Sequence, residues 1–334
     1  MAAADPHFSV IIVNYNAGDY LQKAVDSLKA QTFGNFEVII VDNASHDTSF
    51  EALDTSGLEN VVLCPENENH GFAKANNMAA RMARGKWLVL LNPDAEAAPD
   101  WLEQLVAAQH RHPARKMFAS AQIATEHPNL MDGAGDAYLI FGFPWRGGFE
   151  HPVTEMPGEG YCFSPCGASG VFERDLFLEH NGFDERFFCY CEDVDIGYRL
   201  QLAGEQCIFI PQAQIKHAGS ALSGRLSEFS IYHGTRNRLW TYFKCTPWPL
   251  IVLTLPVHTA LTLYILVRSP AIKRLGATSR GLWDGIKGIA EMKRTSPWSP
   301  QKRQVKLWDL AKSMAWNPWQ MSQHKAFVIP QTDT

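Results

Sequence analysis

The chain has 334 residues, 46% of them hydrophobic and 19% charged, which suits one or two globular domains and excludes a disordered, collagen-like or disulfide-stapled chain. The formal net charge of −5 argues against a nucleic-acid partner. That total conceals a division: residues 1–235 carry 15 Lys and Arg against 31 Asp and Glu, a balance of −16, whereas residues 236–334 carry 15 against 4, a balance of +11.

Residues 1–7 hold no basic stretch leading into an apolar run, so no secretory signal is expected. Seven cysteines, an odd count in a chain that can bury a core, point to reduced thiols and a cytoplasmic setting. Residues 8–13 form an apolar, β-branched run that ends at Asn14-Tyr15-Asn16 and reads as a buried strand. Leu21, Ala24, Val25 and Leu28 then recur at helical spacing, with Asp19 a candidate N-cap. Residues 36–41 read as a second strand stopped by Asp42-Asn43, 61–64 as a short third, 72–84 as a helix, 87–91 as a strand stopped by Asn92-Pro93-Asp94, and 99–110 as a helix. This alternation predicts an α/β fold, a mostly parallel central sheet with helices on both faces. Residues 125–165, rich in Gly and Pro, break it and read as an irregular, functional excursion with short strands. Order resumes with helices at 174–180 and 194–202 and a strand at 207–210.

Beyond residue 235 the character changes. Residues 245–267 carry no formal charge and are long enough to span a bilayer, but Pro247, Pro249, Pro256 and His258 interrupt them. Ile272, Leu275, Leu282, Trp283, Ile286 and Ile289 then form an apolar stripe, and Lys273, Arg274, Arg280, Lys287, Lys293 and Arg294 surround it. The combination predicts a basic helix in a membrane surface, although Gly276, Gly281, Gly285 and Gly288 each disfavour a helix. Peripheral or monotopic attachment is favoured over a true span.

In an open α/β sheet, ligands bind beyond the carboxyl ends of the strands. Three strands here end in polar clusters, at Asn14-Tyr15-Asn16, Asp42-Asn43 and Asn92-Pro93-Asp94. Any one of them could be an ordinary turn; three converging would form a polar site. In the stretch from Asn69 through Gly71, Phe72 and Asn76, a glycine leads into a helix N-terminus, a natural seat for a diphosphate. No dinucleotide or P-loop fingerprint is present. Asp94 can hold Mg²⁺ or Mn²⁺, which binds diphosphate oxygens. Glu192 and Asp193, carboxylates among aromatics ahead of a helix, suit a raised pKa and a general base; the alternative is a helix capped by Asp193. Cys162, Cys166, Cys189 and Cys191 match common zinc spacings poorly and read as buried thiols.

Taken in order, Val13-Asn14-Tyr15-Asn16, Val41-Asp42-Asn43-Ala44-Ser45, Asn69-His70-Gly71-Phe72-Ala73, Asn92-Pro93-Asp94-Ala95, Gly182-Phe183-Asp184-Glu185 and Glu192-Asp193-Val194-Asp195 resemble glycosyltransferase family 2. The likeness is strongest to its rhamnosyltransferases and O-antigen or cell-wall glycan transferases, and it covers residues 8–240. It implies a GT-A fold and a metal-dependent, inverting transfer from a nucleotide-diphospho-sugar. It implies that Asp42 reads the nucleobase with Asn14, Asn16 and Asn43 beside it. Asp94 corresponds to the last Asp of the family's D-x-D motif, with Asn92 in the first position. His217 is the candidate further metal ligand, with a structural histidine as the alternative. Asp193 corresponds to the catalytic base, and Glu192 either supports it or binds acceptor. Arg236, followed by Asn237, either clamps the diphosphate or serves structurally. The Q-x-x-R-W motif of processive synthases is missing, which favours single transfers.

The expected organisation is a GT-A domain over 1–235, with a donor half (8–124) and an acceptor half (125–235), and a membrane-associating region over 236–334. The expected partners are a nucleotide-diphospho-sugar, with dTDP-rhamnose favoured and other UDP- or GDP-sugars as alternatives, and a polyprenyl-diphosphate-linked saccharide at the cytoplasmic face of the inner membrane. A nucleotidyltransferase would show a basic Gly-rich loop after the first strand, which residues 14–19 lack. A non-catalytic nucleotide-sugar-binding membrane adaptor would have lost Asp42, Asp94 or Asp193, and all three are present.

Overall fold

A computed structural model describes residues 5–219, 227–268, 274–296 and 303–331. Ser220, Ile272 and Lys273, with residues 1–4, lie outside them. The first half runs β1 (Phe8–Asn14), α1 (Asp19–Lys29), β2 (Phe36–Asp42), β3 (Val61–Pro65), α2 (Gly71–Met82), β4 (Trp87–Leu90), β5 (Ala95–Ala97), α3 (Trp101–Arg111) and β6 (Met117–Ala124). The second runs β7 (Met131–Ala134), β8 (Asp136–Leu139), β9 (Phe143–Arg146), β10 (Gly160–Cys162), β11 (Gly170–Glu173), α4 (Arg174–Glu179), α5 (Glu192–Leu202) and β12 (Cys207–His217). The remainder is mostly helical: α6 (Glu228–Cys245), α7 (Trp248–Arg268), α8 (Leu275–Arg294), α9 (Leu307–Lys312), α10 (Pro318–Ser322) and a short β13 (Ile329–Pro330).

The central strands are mostly apolar because both faces are covered, with the buried Ser9 and Glu37 the polar exceptions away from the strand ends. Val10 and Ile12 of β1 face a core shared with α1 and α3, while Ile11 and Val13 face a core shared with α2, α4 and α5. The main path of the sheet is β13-β10-β12-β6-β11-β4-β1-β2-β3. Strands β3, β2, β1 and β4 are parallel, as the alternation predicts. Beyond them the sheet is mixed: β11 lies antiparallel between β4 and β6. The physical reason is the excursion after β6, which contains four short strands and no crossover helix, so the chain re-enters the sheet from its opposite end.

Three local expectations change. Helix α1 starts at Asp19 itself, after a left-handed Gly18 and without a side-chain cap; Asp19 acts in the first turn, beside the positive helix end. Strand β12 runs on to His217, because a register shift between Ile210 and Gln214 absorbs Pro211. The boundary expected at residue 235 falls inside α6, since charge composition changes there but the helix does not end.

Helix α6 belongs to both regions. It packs against α5 and against α8, where a Cβ on Gly281, Gly285 or Gly288 would sit 2.7 Å from an α6 atom. These glycines therefore serve close helix approach. Lys244 of α6 is buried, with its ammonium 2.6 Å from Asp184 and 2.8 Å from Asp195, and Asp195 also receives Arg199 at 2.9 Å. Helix α7, by contrast, is 21 residues of apolar sequence with little of it covered: Val252 and Val267 are 67% and 75% exposed. At 1.5 Å per residue it is about 30 Å long.

Removing the ammonium in Lys244→Met leaves the buried Asp184 and Asp195 carboxylates with only Arg186 and Arg199, and is expected to lower stability by about 3 kcal/mol, read by denaturant unfolding. Burial works against the Asp184 charge, but the hydrogen bond from Arg186 and the charge of Lys244 outweigh it and hold the carboxyl well below its ordinary range. The stability Asp184 contributes is therefore fully present above the ordinary carboxylate pKa of about 3.9 and declines as pH falls below it. The Lys244→Met variant is expected to show a weaker acid-induced loss than the wild type.

Candidate active site

The parallel register sets Asn14 of β1 beside Asp42 of β2. Both are buried, and the Asn14 amide donates to the Asp42 carboxylate at 2.7 Å. Ser45 completes that carboxylate, its hydroxyl donating at 2.6 Å and its backbone N–H at 3.1 Å. Asn43 donates to the Asn69 side chain at 2.9 Å and accepts from the His70 backbone N–H. Asn69 in turn accepts from the Gly71 N–H. Two donors of the α2 N-terminus are thus occupied, Gly71 by Asn69 and Ala73 by the Phe188 carbonyl. This corrects the expectation of a freely available anion seat: the helix end is used to hold neighbouring loops.

At the end of β4, a chain of polar contacts crosses the sheet edge. Because β12 pairs with β5, His217 is brought to Asp94, Nε2 to carboxylate 3.2 Å. The Asn92 amide lies 3.4 Å from the same nitrogen. On its other side, His217 Nδ1 meets Asp132 at 2.7 Å, and Asp132 meets Arg146 at 2.5 Å. Burial pulls the His217 pKa down, but hydrogen bonds and charge from Asp132 and Asp94 lift it to about 9. A nitrogen and a carboxylate oxygen side by side, with a second carboxylate orienting the ring from behind, is a donor set that fits a divalent cation between Asp94 and His217. A cation there would take the place of the shared proton.

The third wall is the loop between Phe187 and Glu192. Phe188, Tyr190 and Cys191 all have left-handed backbones, with φ of 66°, 72° and 64°, a conformation that costs non-glycine residues energy. The Asn237 amide of α6 donates to the carbonyls of Phe187, Cys189 and Tyr190 at 2.8–2.9 Å. Gly71 packs against the same loop: its φ is +75°, and a Cβ there would lie 2.6 Å from the Phe188 carbonyl oxygen.

The strained loop delivers Glu192 and Asp193 to the start of α5. Asp193 accepts from the backbone N–H groups of Gly167 and Val194, each at 2.8 Å. Burial raises its pKa despite those donors. Glu192 is buried with Oε2 unpartnered, and burial together with the Asp193 charge pushes it well above the ordinary range. Burial and the same Asp193 charge also raise Asp136. Of the three acids, Asp193 is the one whose anion is stabilised by backbone donors and by the Arg146 charge. Two hollows of about 230 and 280 Å³ hold these groups, one with Asp94 and His217 and the other with Asp136 and Asp193. They share Phe72, Asn92, Arg146 and Tyr190 and form one cleft.

Residues 9–161 match the sequence profile described as Glycosyl transferase family 2. These residues belong to glycosyl transferase family 2. The chain is 28% identical over 252 residues to an N-acetylglucosaminyl-diphospho-decaprenol L-rhamnosyltransferase of Mycobacterium tuberculosis, covering 67% of this chain and 80% of that one. It is 30% identical over 232 residues to the O-antigen biosynthesis protein RfbC of Myxococcus xanthus, covering 65% of this chain and 18% of that one. Its fold is similar to the mannosyltransferase PcManGT from Pyrobaculum calidifontis, solved with GDP-Man and Mn²⁺, with a TM-score of 0.55, 18% identity and 93% and 86% of the two chains covered. It is also similar to S. aureus TarS 1–349 in complex with UDP-GlcNAc, with a TM-score of 0.55, 17% identity and 84% and 81% coverage. The fold is of the GT-A type, and the protein is a glycosyltransferase.

The glycosyltransferase brings most of the sequence candidates to the cleft. Asn43, Asn69, Gly71, Phe72, Asn92, Asp94, His217, Glu192 and Asp193 line it. Five candidates do not line it: the buried pair Asn14 and Asp42, and Asn76, Asn16 and Arg236. Asn76 is buried in α2 with its amide on the Phe72 carbonyl. Asn16 is exposed and accepts from the His46 N–H, shaping the turn after β2. Arg236, for which a diphosphate clamp and a structural role were both open, donates from its guanidinium to the Arg186 and Phe187 carbonyls and stacks 4.3 Å from the Trp240 ring, so it braces the loop. Sequence reasoning missed Asp132, Asp136 and Arg146. The available signal was a pair of aspartates around Gly133-Ala134-Gly135 in the excursion.

Gly71→Ala places a methyl against the Phe188 carbonyl at a left-handed position and is expected to cost about 1–3 kcal/mol, measured by denaturant unfolding. Gly276→Ala, where a Cβ meets nothing within 4 Å, is the control expected to leave stability unchanged or slightly raised.

Proposed function

We propose that this glycosyltransferase moves one sugar at a time, with inversion at the anomeric carbon, from a nucleotide-diphospho-sugar to a saccharide carried on a polyprenyl diphosphate. The observation that carries the reading is a single cleft with a buried, backbone-braced Asp193 in one hollow and the Asp94–His217 pair in the other. Asp193 takes the proton of the acceptor hydroxyl. That oxygen attacks the anomeric carbon from the face opposite the nucleotide, the bond from that carbon to the diphosphate oxygen breaks, and the nucleoside diphosphate leaves with the electron pair. One displacement of this geometry inverts the centre. Burial and the Asp193 charge favour the protonated form of Glu192, which suits it to donate a hydrogen bond to acceptor. Asp94 and His217 would hold Mg²⁺ or Mn²⁺, which neutralises charge on a leaving diphosphate when bound.

The buried Asn14–Asp42 pair suits the nucleobase end, as the family resemblance implies. The donor favoured is dTDP-rhamnose, on the strength of the mycobacterial relative's name; a UDP- or GDP-sugar is the alternative. The same relative is named for a diphospho-decaprenol substrate, which supports the lipid-linked acceptor. The exposed α7 and the basic region 236–334 support peripheral or monotopic attachment to the cytoplasmic face of the inner membrane.

A panel of nucleotide sugars with Mg²⁺ or Mn²⁺, read by release of nucleoside diphosphate and by protection against unfolding, tests the donor. Asp193→Asn is expected to lower turnover at least about 100-fold while donor protection persists; full turnover in that variant would remove Asp193 as the base. Asp132→Asn leaves His217 without its orienting carboxylate and is expected to weaken Mn²⁺ affinity about 10–100-fold, measured by electron paramagnetic resonance of free Mn²⁺. Unchanged affinity would remove the Asp94–His217 pair as the metal seat.

A further inference from the structure

Arg238 follows the loop-holding Asn237 on α6 but points away from that loop's carbonyls. It is 8% exposed, and no carboxylate among the described residues lies within ion-pair distance of it. Its contacts are the Thr262 hydroxyl, 3.3 Å from Nη1, and the Phe143 ring, whose centroid is 4.1 Å from the guanidinium carbon. Other arginines differ: the buried Arg199 meets Asp195 at 2.9 Å and the half-buried Arg146 meets Asp132 at 2.5 Å. Burial lowers the Arg238 pKa to about 10. The guanidinium makes one long hydrogen bond to protein for its five donors, and none of its nitrogens is sealed away unpartnered among the described residues, so the remaining donors are available to the cavity that Arg238 lines.

Arg238 lines a cavity of about 810 Å³ bounded by β9, α6, the end of α7 and α10. Arg146, Arg268 and Arg274 also line it, and no Asp or Glu does among the described residues. Between the arginines the wall is apolar, with Trp145, Phe149, Tyr264 and Ile265. The cavity adjoins the cleft of Asp193, for Trp145, Arg146, Tyr190 and Gly234 line both. It includes neither Asp94, His217 nor Asn43, and it meets the hollow assigned to the donor only at Arg146 and Tyr190. An apolar groove of about 510 Å³ lies between α6, α7 and α8, past Leu255, Leu263, Leu282 and Ile286, and the Thr262 that meets Arg238 lines it.

Arg238, with no carboxylate within ion-pair distance among the described residues, lies in a cavity that adjoins the base and has α6, α7 and α8 in common with an apolar groove, which suits an anion that carries a saccharide and a hydrocarbon chain. We propose that this cavity receives the diphosphate of the lipid-linked acceptor, with Arg238 as its buried anchor and the groove between α7 and α8 holding the first part of the lipid. The inference rests on the acceptor reading above and adds the place where the acceptor binds. Arg268 and Arg274 stand at the rim, where guanidinium forks match phosphate oxygens.

The test uses the full chain in mild detergent with farnesyl diphosphate, farnesol and inorganic diphosphate as probes, each titrated while the unfolding temperature is read. Farnesyl diphosphate is expected to raise that temperature at concentrations where farnesol and inorganic diphosphate do not. In Arg238→Met its apparent affinity is expected to fall about 10–100-fold, while protection by the donor nucleotide sugar persists. Wild-type affinity in that variant would overturn the assignment. Equal protection by inorganic diphosphate would overturn the lipid part, and equal protection by farnesol the anionic part. Should Arg238→Met fail to fold, the rim pair Arg268→Gln and Arg274→Gln is expected to weaken farnesyl diphosphate several-fold, and no weakening would overturn the proposal. Protection by farnesyl diphosphate without protection by any nucleotide sugar would sink the transferase reading and leave the cavity standing; the reverse would sink the cavity.

Discussion

The arrangement depends on one strained loop and the helix that restrains it. Phe188, Tyr190 and Cys191 adopt left-handed backbones that three non-glycine residues would not hold unaided. Helix α6 supplies the restraint: the Asn237 amide gathers the carbonyls of Phe187, Cys189 and Tyr190, and Arg236 braces those of Arg186 and Phe187. Seven residues further along, Lys244 fixes α5 through Asp195 and the start of the loop through Asp184. Gly71 lies against the opposite side of the loop, so the same few residues join the two halves of the cleft. Asp193 is placed by backbone geometry instead of by side-chain partners, and its carboxylate meets two backbone N–H groups.

Three acids share this cleft in different electrostatic states. Burial raises all three; Asp193 combines the Gly167 and Val194 backbone donors with the Arg146 charge, Glu192 has an unpartnered oxygen, and Asp136 has the Asp193 charge against it and the Arg146 charge in its favour. Environments that push neighbouring carboxyls apart are how one site separates a base from hydrogen-bond donors at one pH. Arg146 connects this hollow with the other, reaching Asp132 behind His217. Charge on the Asp94 side is thereby coupled, through a short run of contacts, to the side of the base.

The division of charge along the chain has a structural counterpart, though its boundary is not a domain boundary. The acidic residues that matter surround a cleft whose proposed guest is a metal-bound diphosphate. The basic surplus includes Arg238, Arg268 and Arg274, which line a cavity free of described carboxylates. Helix α6 runs through the change of composition and serves both sides.

The sequence by itself determined the α/β alternation, the polar strand ends, the family and most of the cleft residues, because apolar periodicity and strand-end chemistry are local properties. Asn43, Gly71, Asn92, Asp94 and Asp193 were legible in this way. It did not determine the mixed half of the sheet, which follows from a return path through residues 125–165 that has no periodic signal. Nor could it separate Arg236 from Arg238: both are arginines on one helix, and only packing sends one to backbone carbonyls and buries the other without a counterion. The roles of Asp132, Asp136 and Arg146 likewise came from strand pairing that joins segments about 85 residues apart, such as Asp132 and His217. Which groups meet across such distances, and what their mutual burial does to their charge, was decided by the tertiary structure alone.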